Sequence, residues 1–107
     1  MSMQALISVV VPVYNSEPFL KKTVRCIQEQ TDPAFEIILV NDGSLDGSLE
    51  LCRELEKEDE RIRVLTQENK GLSAARNAGV LEAHGEYISF VVNGKKIKPE
   101  NLGIRKT

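Results

Sequence analysis

The 107-residue sequence contains no long hydrophobic segment. Its longest apolar run, from Val9 to Val13, is far shorter than the roughly 20 residues that a membrane-spanning helix needs. The N-terminus, residues 1–4, is not a basic region followed by a long apolar stretch, so no signal peptide is predicted. We therefore expect no membrane span and a cytoplasmic location.

The sequence also has few cysteines, a single histidine and no large excess of positive or negative charge. A formal net charge of −2 provides no broad basic field, which argues against nucleic acid as a main partner. The two cysteines, Cys26 and Cys52, fall in helical patterns without metal-ligand spacing, so we expect packed free thiols in a reducing cytosol. The single histidine, His84, falls in the last turn of a predicted helix, where we assign it a capping or surface role.

Strand and helix patterns alternate along the chain. A continuous β-branched run such as that in residues 6–13 is typical of a strand buried on both faces of a parallel sheet. The length suits one domain, and the alternation predicts an α/β, doubly wound, mainly parallel sheet. Strands are predicted over Leu6–Val13, Phe35–Val40, Ile62–Thr66 and Glu86–Val92; helices are predicted after Glu17-Pro18, after a cap at Asp46 or Ser48, and over Leu72–His84, the last closed by Gly85.

Four strings resemble the nucleotide-binding half of a family 2 glycosyltransferase with a GT-A-type fold. The resemblance covers residues 7–102 and implies a Rossmann-like, four-stranded sheet of order 3-2-1-4 with three flanking helices. Strands 1 and 4 would then enclose a switch point, beyond whose carboxyl ends ligands bind in open α/β sheets. The strings are Ile7-Ser8-Val9-Val10-Val11-Pro12-Val13-Tyr14-Asn15, Val40-Asn41-Asp42-Gly43-Ser44 with Asp46-Gly47, Asn69-Lys70-Gly71-Leu72-Ser73-Ala74-Ala75-Arg76-Asn77, and Gly85-Glu86-Tyr87-Ile88.

The residues in these strings suit contacts to a nucleotide sugar, which the resemblance implies is UDP-linked. Tyr14 offers a flat ring face for a base, and Asp42 can accept a hydrogen bond from a base imide or a ribose hydroxyl. Gly71 frees the backbone at a helix N-terminus, and Arg76 can aim its guanidinium at base or phosphate oxygens. Structural alternatives are a strand end, a turn-forming aspartate and a surface salt bridge. The predicted nucleotide-binding residues are Pro12, Val13, Tyr14, Glu17, Asp42, Lys70, Gly71, Ala75 and Arg76.

An acidic cluster that the family carries after strand 4 is missing. Relatives continue with Phe-Val-Asp-Ser-Asp-Asp-Trp-Ile, in which an Asp-x-Asp pair holds Mg²⁺ or Mn²⁺ on the donor diphosphate. Aligned on Phe90, the present sequence has Val92 and Gly94 at the aspartate positions and Lys95 at a third acid. We therefore expect no metal site and no metal cofactor for this chain.

Three interpretations of this segment remain open. In the first, the site is inactive. In the second, Lys95 or Lys96 replaces the metal as a fixed phosphate counter-charge, with Lys95 as the candidate phosphate contact. In the third, Asn93-Gly94 forms a β-turn and the lysines belong to a short return strand. We favour the turn without a metal site.

No catalytic residue is predicted, because the family supplies its general base from an acceptor-binding half well beyond strand 4. We expect a fragment of a glycosyltransferase that transfers a sugar from a nucleotide-activated donor to a glycan or polysaccharide acceptor, inactive as this chain and with weak nucleotide-sugar affinity. The alternative is a non-catalytic α/β module for interaction or nucleotide binding.

The chain is divided at the end of strand 4. Residues 1–92 are predicted to form the nucleotide-sugar-binding domain, and residues 93–107 a turn or short hairpin with a basic tail. If the hairpin forms, its lysines shield the edge of strand 4 and keep the chain monomeric. If it does not, two copies pair through that edge, and a homodimer is the outcome we slightly favour.

Overall fold

A computed structural model describes residues 6–29, 35–92 and 95–96. The strands form one sheet of order β3-β2-β1-β4-β5, in which β1 to β4 are parallel and β5 is antiparallel to β4. The predicted doubly wound α/β fold with order 3-2-1-4 and three helices is therefore confirmed. The elements are β1 (Ile7–Val13), α1 (Glu17–Gln28), β2 (Phe35–Asp42), α2 (Ser48–Glu58), β3 (Ile62–Gln67), α3 (Leu72–Glu82), β4 (Tyr87–Val92) and β5 (Lys95–Lys96).

Alternate residues of the strands bury opposite faces of the sheet, and each face has its own core. On one face Val9 and Val11 pack with residues of α1 and α2, including Val24 and Cys52. On the other face Val10, Ile38 and Ile88 pack against α3. Because successive strand side chains point to opposite faces, the unbroken apolar runs of β1 and β2 supply both cores at once.

Helix α3 approaches the sheet closely through a small residue. A Cβ added at Gly79 would lie 2.4 Å from Cγ1 of Val10, a separation that real Cβ atoms do not adopt. Ala75, one turn earlier, is fully buried against the same face. The small residues of this helix therefore set the distance between α3 and β1.

The C-terminal part of β4 pairs with β5 in a narrow antiparallel ladder. Val91 is opposite Lys96, and Val92 is opposite Lys95. Residues 93–94 and 97–107 lie outside the described part of the chain, and so does the predicted tail. From the sequence we expect a monomer if a return strand pairs with β4, and such a pairing is observed. The homodimer through the β4 edge stays a prediction.

The end of α3 differs from the prediction. The helix ends at Glu82 rather than at His84, and Ala83 is already extended, with ψ 140°. His84 and Gly85 leave the helix because their N–H groups find acceptors in β2 and β1: Glu36 Oε2 at 2.6 Å and the Ser8 hydroxyl at 2.8 Å. The predicted cap at Gly85 is therefore wrong, since this residue joins the helix exit to the sheet. His84 does not cap the helix either, but its exposed side chain agrees with the alternative surface role.

Gly85 is required by close packing rather than by helix termination. A Cβ at this position would lie 2.6 Å from the carbonyl oxygen of Leu6 and 2.6 Å from the hydroxyl of Ser8. Backbone atoms cannot yield as a side chain can. Every larger residue at position 85 would therefore separate the start of β4 from β1.

Cysteine placement agrees with the prediction at one position only. Cys52 is fully buried between α2 and the sheet, where burial raises the pKa of its thiol to about 12. Cys26 is exposed on α1, so the expected packing is wrong for this residue. Within residues 6–29, 35–92 and 95–96, no helix combines the length and apolar character needed to cross a bilayer.

A buried carboxylate joins three elements at the amino ends of the strands. Glu36 accepts a 2.6 Å hydrogen bond from the Ser8 hydroxyl and, as above, the N–H of His84. The His84 ring Nδ1 lies 3.2 Å from Oε1, and the Arg63 guanidinium lies 3.7 Å from the same oxygen. Burial raises the pKa of Glu36, but the hydrogen bonds from Ser8 and His84 outweigh it and hold the pKa below its ordinary value.

The first prediction concerns this carboxylate. We expect Glu36→Gln to lower the free energy of unfolding at neutral pH by about 1–3 kcal/mol, because a neutral amide replaces a hydrogen-bonded carboxylate. Since the folded-state pKa of Glu36 is lowered, its stabilisation is present above the unfolded-state pKa and is lost as the pH falls through the folded-state pKa. The difference between wild type and variant should therefore narrow on acidification, as measured by urea unfolding at several pH values. The exposed Glu68→Gln is the control, and a pH-independent difference would contradict the assignment.

Candidate functional site: a cleft at the switch point

The loops at the carboxyl ends of the strands enclose a cleft of about 400 Å³ beside β1, on the side of α3. This volume lies within the range of small-molecule sites, roughly 300–1,000 Å³. Its position matches the switch point at which open α/β sheets bind ligands, since β1 is flanked by β2 and β4. The lining residues are Pro12, Val13, Tyr14, Ser16, Asp42, Asn69, Gly71, Leu72 and Ala75.

Six of the nine predicted nucleotide-binding residues line this cleft: Pro12, Val13, Tyr14, Asp42, Gly71 and Ala75. The other three, Glu17, Lys70 and Arg76, do not. Glu17 directs its carboxylate away from the cleft lining, to the N–H of Gly47 at 3.0 Å. Lys70 adjoins the cleft through its backbone, as described next.

Asp42 is the most extensively hydrogen-bonded side chain of the cleft. Its Oδ1 accepts from Gln67 Nε2 at 2.9 Å and from the N–H of Lys70 at 2.8 Å. Its Oδ2 accepts from the N–H of Gly71 at 2.9 Å and from Asn69 Nδ2 at 3.4 Å. A carboxylate offers about four lone-pair sites, so these four donors nearly saturate it. The Asn69 bond is the longest of the four and therefore the easiest for a ligand donor to replace.

These bonds keep Asp42 ionised although its side chain is buried. Burial raises the pKa of Asp42, but the hydrogen bonds from Gln67 and from the N–H groups of Lys70 and Gly71 outweigh it and leave the pKa below its ordinary value. The N–H groups just before α3 thus already hold an anion supplied by the chain itself. This internal carboxylate occupies part of the anion-binding position expected at the start of this helix.

Gly71 gives the cleft an open wall. Its φ of +99° is one that L side chains rarely adopt, although an added Cβ would meet nothing within 4 Å. Glycine is therefore needed for the backbone conformation and not for space. That conformation turns the N–H groups of Lys70 and Gly71 towards Asp42 and leads the chain into α3.

Arg76 of α3 does not line the cleft. Its guanidinium carbon is 4.4 Å from the centre of the Phe90 ring, a cation–π arrangement. Together with Ser73, Asn77 and Val80, these two residues line a separate cavity of about 290 Å³. Arg76 is therefore held beside the end of β4, where the sequence places the degenerate acidic segment.

The residues described at the end of β4 do not offer the donors that a hard divalent cation requires. Val92 has no side-chain oxygen, and its partner across the ladder is Lys95. Among the described residues no three His, Cys, Asp or Glu side chains converge in a way that could hold a metal ion. Mg²⁺ and Mn²⁺ prefer carboxylate and other oxygen ligands, so residues of this chemistry do not fit the cation that the resemblance implies.

The sequence alone did not identify Ser16, Asn69 and Leu72 as cleft residues. Asn69 could have been found, because it begins the quoted string 69–77 and asparagine often bonds nearby backbone groups. In the structure its Nδ2 also donates to the carbonyl oxygen of Asp42 at 3.0 Å. No local signal marks Leu72, which is simply the first helical residue facing the cleft.

The comparisons with known proteins agree with this architecture. A sequence model of the family described as "Glycosyl transferase family 2" matches residues 8–91. The chain belongs to this family. The matched region contains the whole lining of the cleft and every strand of the parallel sheet except the first residue of β1 and the last residue of β4.

Curated relatives of this family 2 chain are much longer than the chain itself. It is 50% identical over 86 residues to the "Uncharacterized glycosyltransferase EpsJ" of Bacillus subtilis. This matched region makes up 80% of the present chain and 25% of that protein. It is 50% identical over 101 residues to "Glycosyltransferase GlyG" of Streptococcus pneumoniae, covering 94% of this chain and 33% of the relative. The chain thus spans about a quarter to a third of these proteins.

Two solved structures share the fold. The mannosyltransferase PcManGT from Pyrobaculum calidifontis, in complex with GDP-Man and Mn²⁺, superposes with a TM-score of 0.80 at 23% identity, over 87% of this chain and 28% of that one. S. aureus TarS 1-349 in complex with UDP-GlcNAc superposes with a TM-score of 0.76 at 29% identity, over 83% of this chain and 26% of that chain.

The second prediction concerns Asp42 in this family 2 chain. Asp42→Asn keeps the shape of the side chain but turns an N–H₂ group towards donors. We therefore expect a loss of about 1–3 kcal/mol in the free energy of unfolding and faster amide exchange at Lys70 and Gly71. Urea unfolding measures the first effect and hydrogen exchange followed by NMR the second, with the amides of Val10 and Val11 in β1 reporting the global loss of stability. An acceleration at Lys70 and Gly71 no larger than that at Val10 and Val11 would contradict the local role.

Proposed function

We propose that the cleft holds the nucleoside part of a nucleotide sugar, in a protein that transfers a sugar from a nucleotide-activated donor to a glycan or polysaccharide acceptor. The observation that carries the proposal is the side chain of Tyr14, which lines the cleft and is 48% exposed. A half-exposed aromatic ring at a switch point offers a stacking face for a base. Family membership and the UDP-GlcNAc complex of TarS support the same ligand class.

Each wall of the cleft would contribute a different contact. Tyr14 stacks on the base, while Pro12 and Val13 bring the end of β1 against its edge. Asp42 accepts from a base imide or a ribose hydroxyl by exchanging its longest bond, the one from Asn69. Gly71 leaves its side of the cleft open for the ribose, since nothing lies within 4 Å of where its Cβ would be.

Contacts to the diphosphate would be weak in this chain. The family clamps the diphosphate with a divalent cation, and the donors at the end of β4 do not fit one. Lysine and arginine can provide a fixed positive charge there, with Arg76 and Lys95 as the candidates, but one cationic side chain replaces a dication poorly. We therefore propose base and ribose recognition with little contribution from the phosphates.

A second candidate function is a non-catalytic nucleotide-binding or interaction module. The β4–β5 ladder favours it, because a strand pair with two lysines follows β4 where the family carries its acids. Neither candidate needs a cation. They differ in the ligand, because an interaction module would not bind a nucleotide in the cleft. Titration with UDP therefore separates an interaction module from the proposed function.

The third prediction is that UDP, added to the isotope-labelled chain, perturbs amides of Val13, Tyr14, Gly71 and Ala75, with a dissociation constant of about 1 mM or weaker. Tyr14→Ala should weaken this binding about fivefold or more, because base–aromatic stacking is lost. Chemical-shift titration measures both effects. The exposed Tyr87→Ala is the control for removal of a tyrosine outside the cleft.

Two results would contradict this proposal. Perturbations confined to residues outside the cleft would assign the nucleotide to another surface. Micromolar affinity would mean that a phosphate clamp exists despite the missing carboxylates.

The fourth prediction is that Mg²⁺ or Mn²⁺ does not raise the affinity for UDP. The combined substitutions Val92→Asp, Gly94→Asp and Lys95→Asp should introduce metal-linked binding, because they restore carboxylates at the end of β4. Calorimetry with and without Mn²⁺ gives the comparison. Manganese-dependent affinity in the wild-type chain would show that the acidic segment has been aligned wrongly.

A further inference from the structure

The loop that carries Tyr14 is joined to the loop after β2 by a dense set of hydrogen bonds. The N–H of Asn15 donates to Ser44 Oγ at 3.0 Å, and the N–H of Ser16 donates to Ser48 Oγ at 2.9 Å. In the opposite direction, the N–H of Leu45 donates to Asn15 Oδ1 at 2.7 Å. We call the contact between residues 15–17 and 44–48 the loop clasp.

Asn15 has an unusual backbone in this clasp. Its φ is +48°, the only positive φ at a non-glycine residue of the described chain. This left-handed conformation costs energy for most L residues, and asparagine tolerates it better than nearly all others. Here the two bonds of Asn15 to Ser44 and Leu45 hold the turn in place. The turn follows Tyr14 directly, so it fixes the direction in which β1 ends.

Glu17 contributes the second half of the clasp. Its Oε1 accepts the N–H of Gly47 at 3.0 Å, while its own N–H donates to Asp46 Oδ2 at 3.3 Å. Gly47 immediately precedes α2, where a carboxylate is favoured by the helix dipole. A Cβ at Gly47 would lie 2.7 Å from Glu17 Oε2, so the carboxylate packs tightly on the bare backbone.

Tyr14 itself is attached mainly through its backbone. Its N–H lies 3.3 Å from Ser16 Oγ, and that hydroxyl lies 3.2 Å from the Tyr14 carbonyl oxygen. The ring is half exposed and borders the cleft. The orientation of such a ring depends on the backbone that carries it, and here that backbone is held by the clasp.

We infer that Asn15 and Glu17 are positioning residues: by clasping the loop after β1 to the loop after β2, they hold the Tyr14 ring in the orientation that stacks on a nucleotide base. The inference rests on the proposed function for the identity of the ligand. The effect of the clasp on the orientation of the Tyr14 ring does not depend on that function. It gives Glu17 a role different from the direct nucleotide contact that the sequence suggests. The carboxylate acts as a hydrogen-bond acceptor for Gly47, which an uncharged amide oxygen can replace.

The fifth prediction uses the tyrosine content of the chain. The sequence has two tyrosines and no tryptophan, so in a Tyr87→Phe background Tyr14 is the only strong intrinsic fluorophore. In that background we expect Glu17→Ala and Asn15→Ala to lower the fluorescence anisotropy of Tyr14, because the ring gains nanosecond motion. Glu17→Gln and Asn15→Asp should keep the wild-type anisotropy, since each retains the accepting oxygen.

Glu50→Ala is the matched control. Glu50 is the acidic residue in the first turn of α2, as Glu17 is in the first turn of α1, so both substitutions remove a carboxylate from the first turn of a helix. The control therefore reproduces the loss of helix-dipole stabilisation without touching the clasp. Should Asn15→Ala fold poorly, Ser44→Ala removes the neighbouring interloop bond, in which Ser44 Oγ accepts the N–H of Asn15.

Nucleotide affinity is the second measurement. With UDP and GDP as probes, Glu17→Ala and Asn15→Ala should weaken binding about threefold to tenfold, the effect of about one lost hydrogen bond on ring placement. Glu17→Gln and Glu50→Ala should bind as the wild type does. Circular dichroism at the assay temperature establishes that each variant is folded.

Two outcomes overturn the inference. If Glu17→Gln weakens UDP binding as much as Glu17→Ala while the anisotropy stays unchanged, the carboxylate contacts the ligand directly. If the variants only lower the melting temperature and the anisotropy of the folded protein is that of wild type, the clasp is structural and does not position the ring. Should the wild-type chain bind neither UDP nor GDP, the proposed function fails, and the anisotropy series still decides whether the clasp orients Tyr14.

Discussion

Two carboxylates at opposite ends of β2 hold the two ends of α3, and the position of the cleft depends on both. Near the start of the strand, Glu36 accepts the N–H of His84, just beyond the helix. At its end, Asp42 accepts the N–H of Gly71, just before the helix. The N-terminus of a helix leaves N–H groups without partners, and the N–H of a residue beyond the helix also needs an acceptor; an interior strand supplies acceptors for both kinds of donor here. Because α3 forms one wall of the cleft, β2 determines the shape of the site although Asp42 is its only residue among the lining residues described.

The sequence predicted the elements whose signal is local. The β-branched run of Leu6–Val13 predicts a buried strand, and the observed β1 begins one residue later, at Ile7, and ends at Val13. The strand order came from the family resemblance, since periodicity carries no information on which strands pair. The end of α3 at Glu82 was missed for a physical reason: the acceptor that draws the chain out of the helix is Glu36, 48 residues away from His84 in sequence.

At the candidate site, too, the sequence predicted some residues correctly and misplaced others. Tyr14 and Gly71 were found because a flat ring after a strand and a glycine before a helix have recognisable consequences. Glu17 was predicted to contact the nucleotide, whereas its partner in the structure is the N–H of Gly47, thirty residues away in sequence. Arg76 lies beside Phe90 for a similar reason, since only the folded chain brings the end of β4 against α3. The type of a residue indicates which kinds of contact its side chain can make. Which group it actually contacts is set by the tertiary structure.

The contact between Gly79 and Val10 has a consequence for how this chain can change over evolutionary time. The two residues are far apart in sequence but compete for the same volume, since a Cβ at position 79 would lie 2.4 Å from Cγ1 of Val10. Interiors are close-packed, so a carbon gained on the helix has to be matched by a carbon lost from the strand. Homologous chains are therefore expected to exchange size between these two positions as a compensating pair, and drift at one of them is restrained until the other has changed.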